Sequence, residues 1–116
     1  MTKYAILHNP RCSKSRITLQ LLQDNNMDPT IIEYLKTPPT AIELTQILKK
    51  LNMPVRECIR TKEKPYLENN LDNSELSDKE LIDCMCKHPI LIERPIVYSK
   101  NAAIIGRPPE NVLTLL

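Results

Sequence analysis

The stretch that decides the fold lies near the start of the chain and consists of Leu7-His8-Asn9-Pro10-Arg11-Cys12-Ser13-Lys14-Ser15-Arg16. Apolar residues typical of a strand lead into it, and a helical pattern begins near Ser13. Cys12 therefore lies where a strand passes through a polar turn into a helix. The unpaired N–H groups and the positive dipole end of a helix N-terminus bind anions and stabilise a thiolate. We interpret this stretch as an anion site that contains its own nucleophile.

A second interpretation of Cys12 is a small, buried apolar residue, which is how most free cysteines behave. The neighbours Arg11, Lys14 and Arg16 argue against it, because they make the surroundings polar and basic. An ordinary cysteine, with a pKa of about 8.5, is only about 3% thiolate at neutral pH. A nucleophilic Cys12 therefore requires a lowered pKa, which these surroundings favour.

Composition narrows the class of protein. The chain has 116 residues and a formal net charge of +2, which is too small for a nucleic-acid-binding surface. It has no apolar run of membrane-spanning length, and Met1, Thr2 and Lys3 lead into a strand without the layout of a secretory signal. We expect one domain over residues 1–116 that binds neither nucleic acid nor membranes.

The four cysteines are Cys12, Cys58, Cys84 and Cys86. No pair has the two-residue spacing of a zinc knuckle or a dithiol redox motif, and we expect no metal. A reduced cytoplasmic protein fits this pattern most simply. The last three cysteines are expected to be structural or incidental, because none has the basic surroundings of Cys12.

The first third of the chain predicts a βαβ unit. Residues 3–8 and 30–34 have the apolar, β-prone composition of strands, and residues 13–24 have a helical pattern. Strands joined in this way should lie parallel. The inner side of the helix is predicted to consist of Ile17, Thr18, Leu21 and Leu22.

Two capping boxes predict the starts of helices in the middle of the chain, Thr40 with Glu43 and Ser77 with Glu80. The first helix should end at Asn52 and the second near Lys87. We expect a short helix over 54–60 and an irregular stretch over 62–73, with a turn of helix in its centre. About residues 40–90 therefore form a predicted helical insertion.

The last part of the chain predicts a hairpin and a helix. Strand patterns over 95–99 and 102–106 are separated by two residues, of which the second is Asn101, as suits a tight turn. A terminal helix is expected over 108–115, opened by two prolines. Gly106 is the chain's single glycine, and we expect it to serve a positive φ or a close backbone approach.

This order of elements predicts an α/β protein with a thioredoxin-like fold. Its sheet should be four-stranded and mixed, flanked by helices, with the helical insertion between the βαβ and ββα halves.

Three arginines are candidates for holding an anion. Arg60 ends the predicted short helix, Arg94 precedes Pro95 and the third strand, and Arg107 follows the last strand. In a thioredoxin-like sheet the loop before the third strand lies beside the first strand–helix turn, and a proline there is often cis, which fixes the loop. Arg94 can then face Cys12. Converging guanidinium groups suit a multiply charged oxyanion, although each arginine alone can equally be a solvated surface charge.

Three segments together resemble the glutaredoxin-coupled arsenate reductase family: His8-Asn9-Pro10-Arg11-Cys12-Ser13-Lys14-Ser15-Arg16, Tyr34-Leu35-Lys36-Thr37-Pro38-Pro39 and His88-Pro89-Ile90-Leu91-Ile92-Glu93-Arg94-Pro95-Ile96-Val97. The likeness covers nearly the whole chain and is greatest to the short chromosomal members. The chain stops at Leu116, without the C-terminal tail of the longer plasmid-borne members.

The resemblance implies an activity and a set of site residues. Cys12 would be the nucleophile that attacks arsenate, and Arg60, Arg94 and Arg107 would hold arsenate and its intermediates. Reduced glutathione would be a co-substrate, with no bound cofactor, and glutaredoxin would complete the reduction to arsenite. Supporting roles are expected for His8, Ser15, Arg16 and Pro95. His8 lies near the catalytic loop, and two interpretations of it stay open. It is either a loop histidine whose ring is hydrogen-bonded, or a catalytic base.

Three alternatives compete with this hypothesis. A cysteine-dependent phosphatase needs an arginine six residues after the cysteine, where this chain has Thr18. A transcriptional regulator of the Spx type shares the fold, but those that sense oxidants use a Cys-x-x-Cys pair, which Ser15 breaks. The third alternative is a general thiol oxidoreductase that acts on glutathione mixed disulfides. Arsenate turnover and RNA polymerase binding discriminate among them.

Overall fold

The structure is a computed structural model that describes residues 3–116. The expectation about the N-terminus falls partly on Met1 and Thr2, which lie outside the described residues. Over residues 3–116 the chain forms four strands, β1 (Ala5–Leu7), β2 (Thr30–Ile32), β3 (Ile96–Tyr98) and β4 (Ala103–Ile105). The same residues form four α-helices, α1 (Ser13–Asp24), α2 (Ala41–Leu51), α3 (Lys64–Glu68) and α4 (Asp78–Lys87).

The strands form one mixed sheet in the order β2-β1-β3-β4. β1 is parallel to β2, as the βαβ pattern predicts, and β3 is antiparallel to both β1 and β4. The residues of β1 and β3 alternate between two cores. Ile6 and Val97 pack with Leu22 of α1 on one face. Leu7 and Ile96 join the larger cluster built with α2 and α4 on the other face. The predicted thioredoxin-like sheet with helices on both sides is therefore confirmed.

Local signals place the two long helices of the middle segment correctly. Thr40 and Ser77 each form a complete capping box with the glutamate three residues on, at the starts of α2 and α4. Asn52 ends α2 in the left-handed conformation, with φ at 56°. No helix in the described part of the chain is long and apolar enough to cross a membrane.

Two predicted helices are 3-10 helices rather than α-helices. The short helix over 54–60 covers only Val55–Cys58, because Ile59 leaves it to form a β-bridge with Ile92. The terminal helix is also 3-10 and covers Pro109–Leu115. A further 3-10 turn, Pro89–Leu91, follows α4 and was not predicted.

The prediction for the inner side of α1 is partly wrong. Ile17 is 50% exposed, whereas Ser15, Thr18 and Leu22 are buried. Ser15, Thr18 and Leu22 follow one another at spacings of three and four residues, so they form the buried face of α1 and Ile17 lies off it. Gly106 comes close to this face, and an added Cβ there would lie 2.6 Å from Thr18 Oγ1. Only small side chains fit under this part of the helix. The glycine has no positive φ, so the close approach is its reason for being there.

The strand register brings four chain segments to one edge of the sheet. Leu7 ends β1 opposite Ile32 at the end of β2 and Ile96 at the start of β3. Ile96 in turn faces Ile105 at the end of β4. The residues that follow β1, β2 and β4, and those that precede β3, therefore meet at this edge.

Candidate active site

Cys12 begins α1 at this edge as its N-cap residue, and its side chain makes no capping hydrogen bond. The first turn of α1 also has no acidic residue. In the same chain Thr40 and Ser77 cap the other long helices with their side chains. The first-turn N–H groups of α1 are therefore left for an anion or for the Cys12 sulfur itself.

The Cys12 thiol is partly exposed and has a lowered pKa. Burial is the largest single influence and raises this pKa. The backbone N–H of Ser15, the Arg94 guanidinium and the backbone N–H of Lys14 lower it by more than burial raises it. Helix terminus and arginine thus act together to favour the thiolate.

Arg94 and Arg107 both lie beside the Cys12 sulfur. Nη2 of Arg107 lies 3.8 Å from Cys12 Sγ, and its Nε donates to the Arg94 carbonyl at 2.7 Å. The Arg94–Pro95 peptide bond is cis. The Nε and Nη1 atoms of Arg94 are buried and have no hydrogen-bond partner in the part of the chain that the structure describes. Buried guanidinium donors without an acceptor are costly, and they suit a site that takes up an anion.

Glu93, which was not among the predicted site residues, joins Arg60 to the site. Its Oε1 accepts from Nη1 of Arg60 at 3.1 Å and from the Arg94 backbone N–H at 3.1 Å, and it lies 3.3 Å from Nε of Arg107. Arg60 also pairs with Glu63 at 3.3 Å. One carboxylate oxygen therefore sets the positions of two guanidinium groups. The sequence feature that could have indicated Glu93 is its position directly before Arg94, at the edge of the sheet where the loops meet.

The supporting residues hold the loop that leads to Cys12. His8 Nδ1 lies 2.7 Å from the buried Ser15 hydroxyl, which also accepts from the Asn9 backbone N–H at 3.1 Å. Burial lowers the pKa of His8. The charge of Glu33 raises this pKa, and the charge of Arg16 lowers it further. The Arg16 side chain donates to the Pro10 carbonyl at 2.8 Å. A neutral His8 bonded to Ser15 thus ties the loop to the first turn of α1.

The remaining cysteines differ from Cys12 in the direction of their pKa shift. All four thiols are free. Burial, with the charges of Glu57 and Glu93, raises the pKa of Cys58 to about 11. Burial also raises the pKa of Cys84 and of Cys86. Cys12 is therefore the thiol in this chain that the surroundings favour as a thiolate.

The phosphatase alternative finds no support at Thr18. This side chain is buried, and its hydroxyl donates to the Lys14 carbonyl at 2.7 Å. It lies under Gly106, where an arginine would not fit. The position six residues after Cys12 is therefore part of the packing between α1 and β4.

Fold and site together define a class: a thioredoxin-like protein with a single activated cysteine at a helix N-terminus, faced by arginines. The family model described as the ArsC family matches residues 7–115. The chain belongs to the ArsC family. The family membership predicted from the sequence is thus confirmed.

Individual relatives cover nearly the full length of the chain. It is 51% identical to "Uncharacterized protein YfgD" of Escherichia coli, over 100% of this chain and 99% of that one. It is 49% identical to an arsenate reductase of Haemophilus influenzae, over 96% of this chain and 97% of that one. The solved arsenate reductase of Vibrio cholerae superimposes with a TM-score of 0.96 at 47% identity, over 99% of this chain and 98% of that one.

The Cys12 thiolate should persist when one arginine is removed. In Arg94→Ala we expect the Cys12 pKa to rise part of the way to that of a free cysteine, because the Ser15 and Lys14 N–H groups remain. Each of Arg60→Ala, Arg94→Ala and Arg107→Ala should lower kcat/KM for arsenate about ten- to a hundredfold, since a charge-assisted hydrogen bond contributes about 1.5–3 kcal/mol. Lysine should restore only part of this loss.

Thiolate absorbance against pH, with arsenate kinetics on the same samples, measures both effects. A fully restored free-cysteine pKa in Arg94→Ala would mean that the arginine, and not the helix terminus, activates the thiol. If all three alanine variants kept full activity, the arginines would be solvated surface charges and would not bind the anion.

Removing Glu93 should release both guanidinium groups that it holds. We expect Glu93→Ala to raise KM for arsenate and to lower kcat/KM about tenfold, which corresponds to about 1.4 kcal/mol. Glu93→Gln keeps an acceptor oxygen and should retain most of the activity. Glu63→Ala is the matched control, because the Glu63 carboxylate pairs with Arg60, whereas that of Glu93 pairs with both Arg60 and Arg107. Wild-type kinetics in Glu93→Ala would contradict the positioning role.

Proposed function

We propose that this chain is an arsenate reductase in which Cys12 is the nucleophile and Arg60, Arg94 and Arg107 hold the oxyanion. The observation that supports the proposal most strongly is the environment of Cys12. It is a thiol with a lowered pKa at an uncapped helix N-terminus, beside an arginine whose buried donors have no partner. Full-length relatives named arsenate reductase add independent support.

In the first step the Cys12 thiolate attacks the arsenic atom of arsenate. A sulfur–arsenic bond forms, and one arsenate oxygen leaves as water after protonation. The product is a cysteine–arsenate adduct that still bears negative charge. The helix N–H groups and the guanidinium groups of Arg94 and Arg107 stabilise that charge where it develops.

In the second step a reduced glutathione adds to the arsenic of the adduct and displaces another oxygen as water. A glutaredoxin thiolate then attacks the glutathione sulfur, and a mixed disulfide of glutaredoxin and glutathione forms. The electron pair of the broken sulfur–arsenic bond remains on arsenic, which becomes arsenic(III). Water releases arsenite from Cys12 and restores its thiol.

In this mechanism glutathione and glutaredoxin supply the other thiols, which explains why one cysteine suffices at the site. Ser15 stands where a dithiol motif would have its second cysteine, and its hydroxyl is engaged with His8. The cytoplasm is the compartment that we propose, because glutathione and free thiols coexist in a reducing environment. The four unpaired cysteines fit that setting.

The electron source tests the proposal directly. We expect this protein to support arsenate-dependent NADPH oxidation with glutathione, glutaredoxin and glutathione reductase. Thioredoxin with its reductase should not support turnover, because the site has no second cysteine with which to present a disulfide. Equal rates with thioredoxin and without glutathione would contradict the mechanism. RNA polymerase binding in a pull-down without any arsenate turnover would favour a regulator.

The cysteine requirement gives a second test. Cys12→Ser should abolish arsenate reduction, since the hydroxyl is not ionised at neutral pH. Cys58→Ser, Cys84→Ser and Cys86→Ser should retain most of the activity, because burial disfavours their thiolates. Circular dichroism verifies that each variant is folded. Loss of activity in a folded variant of these three would indicate an internal disulfide relay.

A further inference from the structure

Tyr34 is a buried side chain at the edge of the sheet where the site lies. It follows the end of β2 by two residues, and β2 is parallel to β1, which leads to Cys12. The backbone N–H of His8 donates to the Ile32 carbonyl at 2.8 Å and so ties the two loops together at their start. Tyr34 itself has no exposed surface. The chain therefore buries a phenol beside its anion site.

The Tyr34 O–H has no acceptor for its proton among the described residues. Within residues 3–116 the buried side-chain atoms without a partner are Tyr34 Oη and the Nε and Nη1 atoms of Arg94. Buried polar groups are almost always paired, and an unpaired hydroxyl destabilises the folded state. A phenylalanine would suit a purely apolar position better. The presence of a hydroxyl here therefore indicates an acceptor that is not part of the chain.

The unpaired atoms belong to neighbouring groups and share one chemical need. Arg94, Arg60 and Cys12 act on the Tyr34 hydroxyl through their charges, and the Arg94 guanidinium also lowers the Tyr34 pKa as a nearby hydrogen-bond donor to the phenol oxygen. Burial raises the pKa of Tyr34 to about 12, although the two arginines lower it, so the phenol is protonated at neutral pH. The guanidinium atoms can only donate, and the phenol can donate as well. An acceptor with several oxygens would satisfy all of them.

We propose that the Tyr34 hydroxyl is a further anion-binding group of this site, which donates a hydrogen bond to the oxyanion held by Arg94 beside Cys12. This inference rests on the proposed function in so far as the oxyanion is arsenate. The hydrogen bond forms with the bound anion and continues with the cysteine adduct. The role requires no proton transfer, because the phenol remains protonated throughout.

The isosteric variant Tyr34→Phe tests this role, because it removes the hydroxyl and keeps the ring. We expect kcat/KM for arsenate to fall about tenfold or more, as for loss of a hydrogen bond to a charged group. We also expect the melting temperature to stay the same or to rise, since an unpaired buried hydroxyl is lost. Loss of activity together with unchanged or increased stability is a combination that a merely structural role does not produce.

A binding measurement separates this inference from the reductase activity. Cys12 is alkylated with iodoacetamide at increasing concentrations of arsenate, phosphate or sulfate, without glutathione. In Tyr34→Phe the anion concentration that gives half-maximal protection should rise about tenfold. Tyr98→Phe is the control, because Tyr98 lies at the opposite end of β3 and pairs with Ala5. It should keep the wild-type value.

The outcomes distinguish the two proposals. Wild-type protection in Tyr34→Phe overturns the role of the hydroxyl, and so does a loss of protection that comes with a lower melting temperature. Protection of the wild type that is weakened in Tyr34→Phe supports the role, even if arsenate is not reduced and the reductase proposal fails. A wild-type protein that none of the three anions protects overturns both.

Discussion

The free N–H groups at the start of α1 are the constraint on which the site depends. A serine, threonine or aspartate cap would occupy those donors, as Thr40 and Ser77 occupy theirs in α2 and α4. Cys12 makes no such capping bond, and the Ser15 and Lys14 N–H groups instead act on its sulfur and lower its pKa. The helix start is then stabilised by the loop before it, through the Ser15 hydroxyl, which engages His8 and the backbone of Asn9. The loop is thus tied to the first turn of α1 without occupying the N–H donors of that turn.

Charge balance explains how three arginines can share one edge of the sheet. Guanidinium groups in close proximity repel one another, and Glu93 reduces that repulsion by contacting both Arg60 and Arg107. Arg94 receives only a backbone contact from the same carboxylate and keeps two unpartnered donors. The network thus fixes the positions of the Arg60 and Arg107 guanidinium groups and leaves Nε and Nη1 of Arg94 without a partner in residues 3–116. The Cys12 thiolate is a smaller anion than the proposed cysteine–arsenate adduct. The unpartnered donors of Arg94 therefore remain for the negative charge that develops on the adduct.

The sequence contains most of the fold and the central part of the site. Capping boxes and hydrophobic periodicity are local signals, and they locate α1, α2 and α4 to within a residue. The predicted inner face of α1 was wrong at Ile17 because small residues, Ser15 and Thr18, face the core there, and the close approach of Gly106 to Thr18 is distant in sequence. Glu93 was missed for a similar reason, since its partner Arg60 lies 33 residues away. Contacts between loops depend on the sheet register, which single positions do not encode.

The geometry of the site bears on how arsenate and phosphate would be told apart. Both are tetrahedral oxyanions of similar charge, and helix N–H groups and guanidinium groups donate hydrogen bonds to either one. Binding alone therefore gives little selectivity at this site. Under the proposed mechanism the distinction arises after binding, because arsenic(V) attached to sulfur accepts an electron pair from thiols, whereas phosphorus(V) does not. Phosphate would then occupy the site reversibly as a competitor. A cysteine, rather than another anion-binding residue, at the N-cap of α1 is what turns an unselective anion site into one whose chemistry is selective.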